Sequence, residues 1–358
     1  MRSFKGLRWV ALFVGIFLSV EGVSSIFIFR YYAHKKLFLS PEGTATGFVI
    51  KKALGVHPIE TFEADKPEMF RPDSILGYTT NPGVYNITQT IGATKHGYRV
   101  TVTESGVRAT SYHSTSAAHR IYVLGNSLIW AIGLDDEMTA PWLLQTRLPD
   151  YQVINLALTG YSNVQQLLQY QKLKDNLQPD DVVVLSYSAI DLLNNVADPV
   201  STKGLSDGYE MSLSSKESFR DAQIPYANLS KDGELVISYT PMVCSSEGMN
   251  RCIRNKIEPK VREVIADKIF AEVMQDRKSH VIVAFLDGSD DDPVISFLRS
   301  SGAPIADLRI KPGMDYDDYL PGEAGRHRGA FASFRFYEAL FAALSKNQML
   351  MSRDYTSN

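Results

Sequence analysis

The chain is poor in cysteine and in charge of either sign. Its two cysteines, Cys244 and Cys252, form no CxxC motif, and the seven histidines are scattered. No His/Cys grouping has zinc-ligand spacing, so neither a structural metal nor a cofactor is expected. A net charge of -3 over 358 residues leaves no basic footprint for nucleic acid. There is no low-complexity tract and no internal repeat. Only one hydrophobic run, near the N-terminus, is long enough to concern a membrane. What remains is a mixed sequence, 44% hydrophobic and 22% charged, long enough for one large domain with an appendage or for two domains.

The hydrophobic run extends from Trp9 to Phe29 and is interrupted by Glu21. Arg2, Lys5 and Arg8 precede it, and Arg30, Lys35 and Lys36 follow. At about 1.5 Å per residue such a helix just spans a bilayer core, although Glu21 makes insertion costlier. An uncleaved signal anchor over residues 1–30 is the expectation. A cleaved signal peptide or a buried soluble helix are the alternatives. Basic residues at both ends leave the orientation open. Two cysteines close together and none elsewhere suit a disulfide in an oxidising compartment, against two separate thiols. The chain is therefore expected to be membrane-anchored, with its bulk outside the cytoplasm. The sequons at Asn86 and Asn228 keep a lumenal protein as a further reading.

Residues 31–69 have mixed composition and read as a linker. Residues 70–118 are turn-rich, with short strand-like runs, and read as a β-rich appendage. From residue 119 apolar runs alternate with amphipathic ones. Strands are expected at Ile121–Leu124, Val153–Leu156, Val182–Tyr187, Val281–Phe285 and Pro304–Leu308. Helices are expected at Met138–Leu148, Val164–Leu173, Pro259–Gln275, Pro293–Arg299 and Gly329–Leu344. Apolar runs without alternation belong to strands covered on both faces. The rhythm thus predicts an open parallel sheet in a three-layer α/β domain over 119–346, followed by a tail at 347–358. Residues 196–252 break the rhythm. They hold a hairpin signal around Lys231 to Glu234 and the two cysteines, and read either as a lid over the sheet edge or as a surface insertion.

In an open parallel sheet, ligands bind beyond the strand C-termini. Gly125, Asn126 and Ser127 follow the first strand, Thr159 to Ser162 the second, and Ser188 to Asp191 the third. Glu323 and His327 precede the last helix. A serine, a histidine and backbone N–H donors at one edge are the parts of acyl-transfer chemistry: nucleophile, base and oxyanion support. Each part has a plainer reading. Ser127 could be a helix cap, Gly160 a turn glycine, His327 a surface histidine, Glu323 a solvated charge, and Asp191 a structural cap. Tyr112, Trp130, Tyr161 and Tyr187 could line a sugar site or pack in the core.

Val123 to Asp135 resembles the Gly-Asp-Ser block of the SGNH/GDSL hydrolases, Val153 to Ser162 their block with the oxyanion glycine, and His327 with Phe331 to Leu340 their final histidine block. The segments Asp73 to Pro82, Gly106 to Arg108 and Ile224 to Leu235 are similar to parts of membrane-anchored SGNH-like proteins of bacterial envelope and polysaccharide loci. The resemblance implies a flavodoxin-like αβα fold and a serine esterase or O-acyltransferase. Its substrate would be an acylated, chiefly acetylated, envelope carbohydrate, and envelope-complex proteins would be its partners. Ser127 would be the nucleophile and His327 the base, with Glu323 the nearest acid to orient it. Gly160 would be an oxyanion donor and Asn126 would orient the turn. The chain departs from the pattern twice. Ile190 stands where the third block supplies an oxyanion asparagine, leaving Asn194 or Asn195 to compensate, and Ala324 stands where an aspartate precedes the histidine. These departures motivate a second reading, a catalytically degenerate carbohydrate-binding or assembly component.

Overall fold

The computed structural model describes residues 60–66, 68–91, 94–111, 117, 119–197, 212–214, 217–242, 257–275, 280–309 and 329–350. The expected anchor at 1–30, Tyr112, the cysteines Cys244 and Cys252, Glu323 and His327 lie outside them. Among the described residues no helix is long and apolar enough to cross a membrane.

Three of the first five strands, the first, fourth and fifth, alternate buried and more exposed residues, as sheets do when one face is solvated. β1 (Glu60–Ala64), β4 (Gly83–Ile91) and β5 (Thr94–Val102) form an antiparallel sheet in the order β1-β4-β5. Tyr85, Ile87, Tyr98, Val100 and Val102 line its buried face. β1 falls within the stretch read as linker. β2 (Phe70–Asp73) and β3 (Gly77–Thr80) make a separate hairpin. Its turn is set by Asp73, whose Oδ1 accepts the N–H groups of Ile75 and Leu76 at 2.9 and 2.7 Å.

The next group is the parallel sheet. β6 (His119–Val123), β7 (Tyr151–Asn155), β8 (Val182–Tyr187), β11 (His280–Phe285) and β12 (Ile305–Asp307) lie in the order β12-β11-β8-β6-β7. All neighbouring pairs are parallel. Counted within this sheet the order is 2-1-3-4-5, the flavodoxin-like arrangement. Every residue of β8 is buried, which explains its unbroken apolar run. One face packs against α2 (Ala140–Arg147) and α7 (Ala330–Lys346) through Leu144, Phe336, Leu340 and Leu344. The other packs against α3 (Asn163–Leu173), α5 (Pro259–Met274) and α6 (Pro293–Ser300) through Leu167, Ile269, Phe270 and Ile295. The result is the expected three-layer α/β architecture with a five-stranded parallel sheet.

The hairpin expected in the insertion is β9 (Gln223–Leu229) and β10 (Leu235–Pro241). Its described part is integral to the core. Phe219, Ile224 and Met242 join the hydrophobic cluster of the β-rich appendage. The Ala227 N–H donates to the Asn195 carbonyl at 2.7 Å. A Cβ on Gly77, which has φ +89°, would come within 3.0 Å of the Gln223 carbonyl oxygen. The hairpin therefore presses against β3 through backbone that only glycine accommodates.

Candidate active site

Strand order reverses between β6 and β8, the switch point beyond which open parallel sheets bind their ligands. The turn after β6 reaches this point under tight steric control. A Cβ on Gly125 would lie 2.5 Å from Ser186 Oγ and 2.9 Å from the Ile129 side chain. Only glycine lets the turn pass between β8 and α1 (Ser127–Trp130). Asn126 caps this one-turn helix, its Oδ1 accepting the Leu128 N–H at 3.0 Å. Its other amide atom, Nδ2, donates to Asp191 Oδ1 at 3.1 Å. Ser127 follows as the first helical residue and is partly exposed. It is both the start of a capped helix and a hydroxyl-bearing residue at the switch point.

The second loop is joined to the first. The Leu158 N–H donates to the Gly125 carbonyl at 3.0 Å. Gly160 has φ +70°, the left-handed geometry that glycine tolerates best. Ser162 and Gln165 then form a capping box at the start of α3. Two tyrosines, one on β3 and one in the loop itself, tie it down. Tyr78 donates to the Thr159 carbonyl, and Tyr161 donates to the Tyr78 carbonyl, each at 2.6 Å.

Asp191, the first residue of α4 (Asp191–Asn194), is fully buried at the centre of a polar network. It accepts from Asn126 Nδ2, the Ser188 N–H at 3.0 Å and Asn163 Nδ2 at 3.4 Å. Burial pushes its carboxyl up to about 8, and the nearby Asp287 charge adds to the rise. The three donors oppose it because they favour the ionised form. Asn163 also donates to the Ser186 carbonyl and accepts from Asn195 Nδ2, at 3.0 and 3.1 Å. Asp287, beyond β11, accepts the Ser188 hydroxyl and the Ala189 N–H, both at 2.6 Å. The network therefore joins the ends of β6, β8 and β11.

Ile190 is 50% exposed and carries no donor, as its side chain dictates. Asn195 is buried, and both ends of its amide are committed, Nδ2 to Asn163 and Oδ1 to the Val164 N–H. It braces the loops and is not available as a replacement donor. Asn194 ends α4 and is partly buried. Trp130, Tyr161 and Tyr187 are all core residues. Among the described residues no cluster of His, Cys, Asp or Glu could hold a metal ion.

Three contributors were not singled out in the sequence. Asp287 follows the fourth parallel strand, and the rule that drew attention to the other strand ends also points to it. Asn163 stands beside Ser162, and its role depends on contacts across the sheet. Arg108 comes from the β-rich appendage and is fully buried. Its Nε pairs with Asp136 at 2.9 Å. Its Nη1 donates to the carbonyls of Trp130 and Ala131, and its Nη2 to that of Leu134. The guanidinium also lies 5.4 Å from the Trp130 ring centroid. Arg108 thus grips the exit of the helix that Ser127 begins. Its backbone bridges Val102 on one side and Asn155 on the other, so it joins the appendage to the edge of the parallel sheet.

No family model matches the chain, and no curated protein matches it. Similar solved structures include a lipolytic protein of the G-D-S-L family from Veillonella parvula. It is 9% identical and matches over 64% of this chain and 100% of that one, with a TM-score of 0.39. A psychrotrophic esterase from Pseudoalteromonas sp. is 11% identical over 64% and 98%, with a TM-score of 0.34. An acetylxylan esterase from Geobacillus stearothermophilus is 10% identical over 66% and 98%, with a TM-score of 0.35. Likenesses this partial carry no argument about activity. The class defined by the structure itself is a three-layer α/β protein with a serine and a buried polar network at its switch point.

Proposed function

We propose that the chain is an SGNH-type serine ester hydrolase or O-acyltransferase, acting on acyl, chiefly acetyl, esters of a cell-envelope carbohydrate. The observation that carries this reading is the position of Ser127: partly exposed, on a capped turn, at the switch point of a 2-1-3-4-5 sheet. Ser127 Oγ attacks the ester carbonyl carbon while His327 takes its proton. The C–O bond to the alcohol breaks as His327 protonates the leaving oxygen. Water, or a sugar hydroxyl in the transferase case, then takes the acyl group from Ser127. The N–H groups of Ser127 and Gly160 hold the oxyanion, and Glu323 orients His327. Residues 1–30 anchor the chain in the membrane with its bulk outside the cytoplasm. A Cys244–Cys252 disulfide braces the insertion, and the partners are the acylated carbohydrate and envelope-complex proteins.

Fluorophosphonate labelling of the full chain tests the reading. Labelling is expected, and Ser127→Ala is expected to abolish it. A folded wild-type chain that takes no label overturns it.

A specific observation favours the second reading. Ile190 offers no donor where an oxyanion asparagine is expected, and the Asn195 amide is committed elsewhere. A missing oxyanion donor costs about 2.7–4 kcal/mol in the transition state. On this reading the fold is retained as a carbohydrate-binding or assembly component, and a folded but unlabelled chain is its expected result.

A further inference from the structure

Ser127 lies between two residues that a single side chain holds. Asn126 Oδ1 accepts the Leu128 N–H at 3.0 Å, and Asn126 Nδ2 donates to Asp191 Oδ1 at 3.1 Å. The bond to Leu128 fixes which end of the amide faces Asp191. The second oxygen of Asp191 accepts the Ser188 N–H at 3.0 Å and Asn163 Nδ2 at 3.4 Å. Asn163 opens α3, where the Gly160 loop ends. One carboxyl group therefore holds the Ser127 turn through one oxygen and the end of the Gly160 loop through the other. The same two segments are also tied by backbone, Leu158 N–H to Gly125 carbonyl, at 3.0 Å.

The surroundings of Asp191 call for an acceptor on both sides. Its three partners are all donors, and it is fully buried, so water does not replace a lost partner. An amide in its place would turn an N–H group toward either Asn126 Nδ2 or the Ser188 N–H, and two donors would face each other. Helix capping does not require this arrangement. Asn126 caps through Oδ1 alone, and a serine would cap as well. The bond from Nδ2 to Asp191 adds a restraint on the turn that the cap does not supply. Acyl transfer is sensitive to such a restraint, because a misplacement of about 1 Å can cost about a hundredfold in rate.

We infer that Asp191 is a positioning residue: through Asn126 it holds the Ser127 turn, and through Asn163 the end of the Gly160 loop, in the register that acyl transfer needs. The inference rests on the reading of Ser127 as the nucleophile. A merely structural Asp191 would change stability and leave the reactivity of Ser127 in the folded chain as it was.

The test is the rate at which a small fluorophosphonate labels Ser127 in the full chain, separated into probe binding and bond formation, well below each variant's unfolding midpoint. Asp191→Asn is expected to slow bond formation by about tenfold or more, with probe binding unchanged. Asn126→Ser keeps the cap and gives up the tether, and the same loss is expected; it carries the test if Asp191→Asn does not fold. The double exchange, Asn126→Asp with Asp191→Asn, again turns a carboxylate toward an amide N–H and leaves the Leu128 and Ser188 N–H groups with acceptors. It is expected to recover most of the lost rate. Unchanged bond formation in the folded single variants overturns the inference, as does a loss that lies wholly in probe binding. A folded double variant that stays slow overturns it too. A wild-type chain that takes no label overturns the nucleophile reading together with this one, whereas a labelled wild type with equally reactive variants overturns this one alone.

Discussion

The two ends of the short helix Ser127–Trp130 are held by opposite chemistry. At its start, Asn126 is tethered to Asp191, an acid whose burial works against its charge. At its end, Arg108 grips the carbonyls of Trp130 and Ala131 and pairs with Asp136. The first clamp comes from within the parallel sheet, through the strand next to the Ser127 turn. The second comes from the β-rich segment that precedes the parallel sheet. A buried acid surrounded by neutral donors responds to pH, because its neutral form is the cheaper one to bury. A buried arginine gripped by a carboxylate and several carbonyls holds instead through many simultaneous charge-assisted hydrogen bonds. The helix is thus fixed at one end by a pH-sensitive tether and at the other by a permanent lock.

Breaking the permanent lock has the largest expected effect. Arg108→Ala leaves Asp136 buried without its cation and strands the gripped carbonyls. A loss of about 3–5 kcal/mol is expected in denaturant unfolding. Placing a methyl group in the turn just ahead of the first clamp comes next. Gly125→Ala puts a Cβ 2.5 Å from Ser186 Oγ and against Ile129, both in packed surroundings. Overpacking of this kind costs about 1–3 kcal/mol, and a fall in thermal midpoint checks it. Asn126→Ala removes the helix cap and one of the donors to Asp191. About 0.5–2 kcal/mol is expected by the same unfolding measurement, together with a further rise in the Asp191 pKa.

The subtlest comparison is in the pH dependence. The Asp191 carboxyl is raised from 3.8 in its free state to about 8 in the fold. Between those values the folded chain holds a proton that the unfolded chain has released. The stability from this group is therefore fully present below about 4, declines as pH rises, and levels off above about 8. Asp191→Asn is expected to remove that decline, and Arg108→Ala to leave it in place. Denaturant midpoints over this range check both, and an unchanged slope in Asp191→Asn removes the tether from the comparison.

Much of the sheet was legible from residue type alone. Val182–Tyr187 was expected and found with the same ends, because a continuous β-branched run has no other economical placement. Pro259 marked the start of α5, since proline is suited to the first helical turn. The hairpin at Lys231 to Glu234 followed from its turn residues. The strand Glu60–Ala64 was not legible. It is short and charged, and β4 alone makes it a strand. The insertion, read as either a lid or a surface loop, proved in its described part to be core. Its buried Phe219 and Ile224 have their partners far away in sequence.

The candidate site divides along the same line. Local pattern determines that a serine follows a strand and a sharp glycine turn, because steric demands on a turn are carried by adjacent residues. Local pattern also determines the βαβ rhythm, and with it the sheet edge where ligands would gather. Only the tertiary structure decided that Asn126 answers to Asp191, that Asn195 is occupied by Asn163, and that a guanidinium from residue 108 closes the far end of the helix that Ser127 begins. Those pairings join residues tens of positions apart, and their strength depends on exclusion of water. Burial is a property of the packed layers and not of any stretch of chain, so no local pattern could announce it.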